Sequence, residues 1–168
     1  MPRIFSKSLF GRWPKSRKEE QEHGPGKGGS IMCPKGEAVY FQKSWHHASG
    51  EYKHFSAETG VRFELCPADQ MKKDGTYEGI VRVEDIPPVV RQEVVNLIKN
   101  VGQRAFARDV LDRILDVEYN EGTITVKTSE NQLAISMGKQ IQRARKRAKI
   151  DIQFSKQESV ARVRVWWE

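Results

Sequence analysis

The strongest constraint on the fold is the alternation of apolar and polar residues in the last third of the chain. Residues 115–119 and 124–126 alternate on either side of Asn120-Glu121-Gly122, which predicts a β-hairpin. Residues 150–154 and 161–167 alternate in the same way and predict two further strands. Between the two pairs, an N-cap at Thr128 or Ser129 and an apolar stripe predict a helix that runs to about Lys149. The stripe consists of Leu133, Met137, Ile141, Ala144 and Ala148.

A second helical stripe precedes the hairpin. The sequence Asp85-Ile86-Pro87-Pro88 is typical of a helix start, because Asp caps a helix and proline is tolerated in the first turn. Apolar residues then recur at helical spacing up to Gly102, a plausible end: Val90, Val94, Leu97, Ile98 and Val101. These elements predict the order α-β-β-α-β-β for residues 85–168, which packs most simply as a four-stranded sheet carrying two helices on its apolar face.

Short strands and turns characterise residues 31–84. Residues 38–43 and 61–66 alternate and residues 76–83 are rich in β-formers, so the pattern predicts a small β-rich module. Lys43, Trp45 and His46 fall in a predicted loop of this module, a combination suited to phosphate contact and base stacking. A nucleophile with an obvious base, a carboxylate pair and a phosphate-binding glycine loop are all absent from the sequence. We therefore expect neither an enzyme nor a small-molecule substrate.

The two cysteines occupy matching tetrapeptides, C-P-K-G at residues 33–36 and C-P-A-D at residues 66–69. They resemble the knuckles of a zinc ribbon in which Gly36 and Asp69 stand where the second thiolates belong. Cys33 and Cys66 are therefore candidate ligands of a degenerate metal site.

Three interpretations of these cysteines remain open. Tetrahedral zinc needs four donors, which two of His46, His47 and His54 could complete. Alternatively, the ribbon folds without a cofactor, or Cys33 and Cys66 form a disulfide. The charged N-terminus shows no apolar signal segment, so we expect a cytoplasmic, reducing compartment, which disfavours the disulfide.

Charge points to a polyanionic partner. The 168 residues carry a formal net charge of +7, and no apolar run approaches the length of a membrane span, so no membrane partner is expected. Residues 1–30 combine cations with Phe5, Phe10 and Trp13 and end in a glycine-rich stretch. This composition predicts a disordered basic arm that could order on a nucleic acid, although an ordinary unstructured terminus has the same composition.

Two surfaces of residues 85–168 are candidate nucleic-acid contacts. The predicted helix from Ser129 carries more cations than complementing the helix dipole requires, which favours phosphate contact over a merely solvated face. They are Lys139, Arg143, Arg145, Lys146, Arg147 and Lys149. On the polar sheet face, Arg162, Arg164 and Trp166 are expected to project beside Lys127, as in platforms that stack single-stranded RNA, although Trp166 could instead cover a sheet edge.

Several segments together resemble a known group of proteins. Residues 33–41, Lys43-Ser44-Trp45-His46 and residues 65–69, 93–100, 128–134 and 163–166 resemble small uncharacterised bacterial proteins with a CPxC and CPxC ribbon. Those are similar to the N-terminal region of the nonsense-mediated-decay-three family, the large ribosomal subunit export adapter. The resemblance covers about residues 31–167. It implies a ribosome or RNA partner and makes Cys33 and Cys66 ligand positions, while Gly36 and Asp69 depart from the pattern.

The sequence thus predicts an α+β protein in three parts: a disordered basic arm (1–30), a degenerate zinc-ribbon-like β module (31–84) and an α/β sandwich (85–168). The expected function is non-enzymatic RNA binding in association with the ribosome. The alternatives are a protein-interaction or regulatory module and a DNA-binding regulator, for which no helix-turn-helix or heptad signal is present.

Overall fold

A computed structural model describes residues 30–49, 61–155, 157 and 159–168, which form two sheets and three helices. The predicted α+β class is therefore confirmed. The predicted basic arm, apart from Ser30, and His54 lie outside the described residues.

The first sheet has four short strands in the order β3-β2-β1-β4. They are β1 (Ile31–Met32), β2 (Ala38–Phe41), β3 (Ser44–His47) and β4 (Arg62–Phe63). The loop predicted around Trp45 and His46 is wrong, because these residues form β3, which pairs antiparallel with β2. Gln42 and Lys43 make the two-residue turn, with φ of 48° and 68°. Tight hairpins favour positive φ at both central residues, but the usual glycine or asparagine signal is missing here.

A short helix that the sequence did not predict, α1 (Pro67–Asp74), begins directly after Cys66. Pro67 occupies a first-turn position, where its missing N–H costs nothing. The helix ends at Gly75, whose φ of 69° is the left-handed conformation common at helix C-termini. We call the four-stranded sheet together with α1 the small module. Its last element brings Asp69 next to the two cysteines.

The second sheet has five strands in the order β6-β7-β5-β9-β8. They are β5 (Gly79–Glu84), β6 (Ile114–Asn120), β7 (Thr123–Thr128), β8 (Lys149–Ser155) and β9 (Val160–Trp166). All four strands that the sequence predicts for this sheet are present. The sheet has a fifth strand, however, so the predicted four-stranded sheet is wrong. The strand expected in the N-terminal β module, β5, lies instead at the centre of this sheet, antiparallel to β7 and parallel to β9. Its inward side chains Val81 and Val83 are fully buried in the larger core.

Two helices, α2 (Pro88–Arg108) and α3 (Asn131–Ala144), pack on one face of the second sheet. Asp85 does not cap α2, which begins three residues later and has Pro87 at its N-cap position. Gly102 does not end α2 either. A Cβ at Gly102 would lie 2.4 Å from Ile114 Cδ1, so this glycine permits close packing of α2 on β6.

Helix α3 is shorter at both ends than the sequence predicts. It begins at Asn131, and the hydroxyl of Ser129, a predicted cap, donates instead to the Leu111 carbonyl at 2.6 Å. It ends at Ala144, after which Arg145 leaves the helical conformation and the chain turns into β8. Leu133, Met137 and Ile141 are buried as predicted. We call α2, α3 and the five-stranded sheet the sandwich.

Candidate functional site

Cys33, Cys66 and Asp69 converge at the end of the first sheet, and we call them the thiol–carboxylate cluster. Strands β1 and β4 run parallel, so the residues that follow them leave the sheet on the same side. Cys33 comes directly after β1, and Cys66 directly precedes α1, whose first turn carries Asp69. Both cysteines are fully buried free thiols, so the disulfide alternative is not adopted.

The three side chains share one oxygen atom. The Cys33 thiol donates to Asp69 Oδ2 at 3.2 Å and the Cys66 thiol donates to the same oxygen at 3.1 Å. The Cys66 backbone N–H lies 3.4 Å from Cys33 Sγ and donates to it. All three possible ligand atoms lie within 4.8 Å of one another. They are therefore close enough to hold one metal ion.

Arg113 supplies the positive charge next to this cluster. Its Nη1 lies 3.3 Å from both Asp69 oxygens and 2.7 Å from Glu37 Oε2, while its Nε donates to the Val110 carbonyl at 2.7 Å. The guanidinium carbon lies 5.1 Å from the centre of the Phe106 ring. Arg113 and Asp69 are each only 11% exposed. Arg113, in the segment that joins α2 to β6 of the sandwich, thus neutralises a carboxylate that the small module holds.

The pKa shifts agree with the hydrogen bonds. Burial raises the pKa of the Cys66 thiol to about 12, and the bond to Asp69 adds to this. Burial also acts to raise the pKa of the Asp69 carboxyl, but the hydrogen bonds from Cys66 and Cys33 and the charge of Arg113 outweigh it and hold that pKa below its usual value. The stable form near neutral pH has a protonated Cys66 thiol and an ionised Asp69.

The two described histidines do not complete a metal site. His46 Nε2 lies 2.8 Å from Ser44 Oγ and 3.2 Å from the Phe41 carbonyl, and the His47 ring packs edge-on against Phe106. Among the described residues, the group that could hold a metal contains only the thiol–carboxylate cluster. Asp69, which the sequence motif presents as a lost thiolate, is the third possible ligand. Carboxylates are ordinary zinc ligands, and that knowledge could have identified it.

A groove of about 450 Å³ lies where the small module meets the sandwich. Glu37, Asp69 and Lys72 line it from one side, and Lys99 and Phe106 line it from α2. Because Asp69 is on its wall, the groove offers a path from solvent toward the cluster.

The six cations predicted on one helix occupy three different elements. Lys139 and Arg143 lie on α3, Arg145, Lys146 and Arg147 lie in the following turn, and Lys149 begins β8. Arg145 pairs with Glu93, and Lys149 pairs with Glu168. Arg143, Lys146 and Arg147 are exposed and make no ion pair with any residue that the structure describes. We call these three residues the basic turn.

Lys43, Trp45 and His46 lie in the first sheet. The Trp45 ring is half-buried, packs near the cysteines and lies 5.4 Å from the Tyr40 ring. Lys43 is exposed in the hairpin turn. Trp45 therefore contributes to the core of the small module, and only Lys43 of the three is strongly exposed.

Arg162 and Arg164 lie on the face of the second sheet opposite the two helices, as the alternation predicts. The Arg164 guanidinium lies 5.0 Å from the centre of the Trp166 ring. Lys127, on the same face, pairs with Glu118 at 2.9 Å and Asp116 at 3.3 Å, and these hydrogen bonds raise the pKa of Lys127. The sequence interpretation missed Arg82 and Glu84, because β5 was not expected in this sheet.

Comparisons with family models, with curated proteins and with solved structures found no match to this chain. Within the described residues, no helix has the combination of length and apolar character that crossing a membrane requires.

Proposed function

We propose that this protein binds RNA, with phosphate contacts from the basic turn. The observation that carries the proposal is the exposure of Arg143, Lys146 and Arg147 without acidic partners in the described part of the chain. A cation already paired with a carboxylate gains little from a phosphate, whereas a free one releases counterions when it binds. The formal charge of +7 supports the same class of partner.

The ribosome is the proposed carrier of that RNA in the cell. Ribosomal RNA presents a dense array of phosphates, and the proposal requires no catalysis. Lys43 could add a contact from the first sheet, since it is exposed at a hairpin tip.

We also propose that the thiol–carboxylate cluster supplies three of the four donors of a zinc site. The Cys33 and Cys66 sulfurs and an Asp69 oxygen are donor types that zinc accepts, and their proximity fits one ion. Zinc would join the knuckle after β1 to the start of α1. Arg113 would then balance a carboxylate that is both a ligand and part of an ion pair.

The test of RNA binding is fluorescence anisotropy with ribosomal RNA fragments over a range of salt concentrations. Replacing Arg143, Lys146 and Arg147 by Glu together should weaken binding on the order of 100-fold and flatten the dependence of affinity on salt. Unchanged affinity would remove the basic turn from the interface. Absence of salt-sensitive binding by the wild type would overturn the function itself and favour a protein partner.

A matched control separates the site from net charge. The triple replacement of Lys72, Lys73 and Arg108 by Glu changes the charge by the same amount at exposed positions on α1 and α2. This variant should retain most of the affinity. An equal loss in both variants would mean that the overall charge attracts RNA without a defined site.

A further inference from the structure

Two arginines face each other on the exposed side of the second sheet. Arg82 on β5 is directly opposite Arg164 on β9 in the parallel register. The Arg82 and Arg164 side chains are 60% and 57% exposed. Like charges at directly opposite positions destabilise a sheet, so their placement calls for a compensating anion. We call these residues the arginine pair.

One carboxylate on the same face of the sheet pairs with both arginines. Glu84 Oε1 lies 3.4 Å from Arg82 Nε, and Glu84 Oε2 accepts from Arg164 Nε at 2.6 Å. Glu84 is only 17% exposed. Both contacts use the Nε atoms, and among the described residues the terminal Nη atoms of the pair donate no hydrogen bond. Glu84 thus fixes two guanidinium groups and leaves their outer donors available.

A second contact restricts Arg164. Its guanidinium lies 5.0 Å from the centre of the Trp166 ring, within the range of a cation–π interaction. An arginine held by a carboxylate and by an aromatic ring loses less side-chain freedom when it binds a ligand. The arginine pair is therefore partly preorganised.

The arginine pair lies on a groove of about 460 Å³. Its charged lining consists of Arg82, Arg162 and Arg164 against Glu84 and Asp151, which leaves one net positive charge. Asp151 is opposite Arg164 in the β8–β9 register and accepts from Gln153 Nε2 at 3.0 Å. The groove thus combines two carboxylates engaged by neighbours with the terminal guanidinium donors of Arg82 and Arg164, which remain open to an oxyanion.

We infer that the arginine pair binds a phosphate group, carried by a phosphodiester of single-stranded RNA lying across this sheet. The inference rests on the proposed RNA-binding function for the source of the phosphate, but the phosphate site itself rests on the geometry of Arg82, Glu84 and Arg164. Planar forks of N–H donors match phosphate oxygens in pairs, which a lysine cannot reproduce. An RNA strand on this face would be contacted at a site separate from the basic turn.

Inorganic phosphate tests the site without RNA. Titration of ¹⁵N-labelled protein with phosphate, at ionic strength matched with chloride, should shift the Nε–H signals of Arg82 and Arg164 and the indole signal of Trp166 saturably. The double variant Arg82→Gln, Arg164→Gln should lose the Trp166 shift. No saturable shift in the wild type, or an undiminished Trp166 shift in the variant, would overturn the phosphate site.

A single-stranded RNA of about 12 nucleotides tests the source of the phosphate. The double Gln variant should bind it about tenfold more weakly or worse, and its salt slope should fall by about 0.7 for one lost phosphate contact. The double variant Arg82→Lys, Arg164→Lys keeps both positive charges but lacks the planar guanidinium groups. Its affinity for RNA should lie between those of the wild type and the double Gln variant. Full recovery would contradict a fork-specific contact.

Lys73→Gln with Arg108→Gln is the matched control, because it also removes two positive charges, at exposed positions on α1 and α2 outside both proposed RNA contacts. It should leave both titrations unchanged. If the wild type binds RNA but replacing the arginine pair changes neither the phosphate titration nor RNA binding, the phosphate site is wrong and the proposed function stands. If phosphate shifts these signals but no RNA binds, the function fails and the site is an oxyanion site for another molecule.

Discussion

The small module and the sandwich are held together by different kinds of contact. The sandwich buries a continuous apolar layer between its helices and sheet, with Val81, Ile124 and Ile141 fully buried. The small module has strands of two to four residues and a core built around two thiols, one carboxylate and an arginine from outside. Short strands with little apolar surface are marginal alone.

This difference implies that the small module depends on the sandwich for its stability, whereas the sandwich does not depend on the small module. Cys33, Ala38, Cys66 and Ala68 pack against Val110 and Leu111 in the segment that joins α2 to β6 of the sandwich, and Arg113 is the last residue of that segment. The small module therefore needs the sandwich for both its core and its counter-charge. The sandwich has its own core, so it should persist when the small module opens locally.

The largest effect should come from the sandwich core. Ile141→Ala removes a fully buried side chain and should lower the free energy of unfolding by about 3 kcal/mol. Urea denaturation should show a lower midpoint, and hydrogen exchange should quicken in both regions, since the small module depends on the sandwich. Val89→Ala, at a position 86% exposed, should change stability by less than about 0.5 kcal/mol. Retained protection in the small module would disprove the dependence.

Zinc should stabilise the protein, and it should do so only in the small module. At about 100 times its dissociation constant, an ion bound only to the folded small module stabilises it by about 2.7 kcal/mol. Hydrogen exchange with zinc or with a chelator should therefore differ for residues near Cys33 and α1 and be the same in α3.

Metal analysis of the purified protein supplies the stoichiometry, which should be near one and fall in Asp69→Ala. The Asp69 variant matters because it leaves both thiols in place, so it separates a three-donor site from binding by cysteine alone. Stoichiometric zinc in that variant would exclude Asp69 from the ligand set. Absence of zinc from the wild type would mean that the hydrogen-bonded cluster is the working form.

Sequence periodicity predicted the sandwich better than it predicted the small module, for a physical reason. Alternation reports which side of a strand is buried, and it located β6 to β9 because each has one apolar face. It does not report which sheet a strand joins, so β5 was expected in the wrong one. The end of α3 was misplaced because Ala148 fits a helical stripe although the chain has already turned at Arg145.

The candidate sites show the same limit. Cys33 and Cys66 were identified from their motifs, but Asp69 was interpreted as a missing ligand, and Arg113 carries no local signal of its partner 44 residues away. Arg82 and Glu84 became relevant only through the register between β5 and β9. Long-range pairings of this kind are set by tertiary packing, which a single sequence does not encode in any short window.

Arg113→Ala should open the small module while the sandwich stays folded. It leaves the Asp69 carboxylate, only 11% exposed, without its cation, at an expected cost in unfolding free energy of about 2 kcal/mol. Fully buried pairs cost about 3–5 kcal/mol to break, but Asp69 keeps both thiol hydrogen bonds. Among the described residues, faster exchange should be confined to residues 31–48 and 62–74.

A double-mutant cycle with Asp69→Asn sharpens this result. If the loss comes from an uncompensated charge, the double variant should be more stable than the sum of the two single effects implies. Simple additivity would show that Arg113 acts through its packing on Phe106 instead.

The smallest effect should come from the exposed ion pairs of Lys127, which contrast with the buried pair of Arg113. Lys127→Ala should cost at most about 0.5 kcal/mol, because Asp116 and Glu118 are about half exposed and water screens their attraction. The folded-state pKa of Lys127 is raised, so its contribution is complete below the ordinary pKa of lysine and is lost as pH rises through the folded-state pKa. Urea midpoints of the wild type and Lys127→Ala should therefore converge only in alkaline solution. A difference that is already absent at neutral pH would show that the pair contributes nothing, whereas a difference above about 1 kcal/mol would place these pairs in the same class as Arg113 and Asp69.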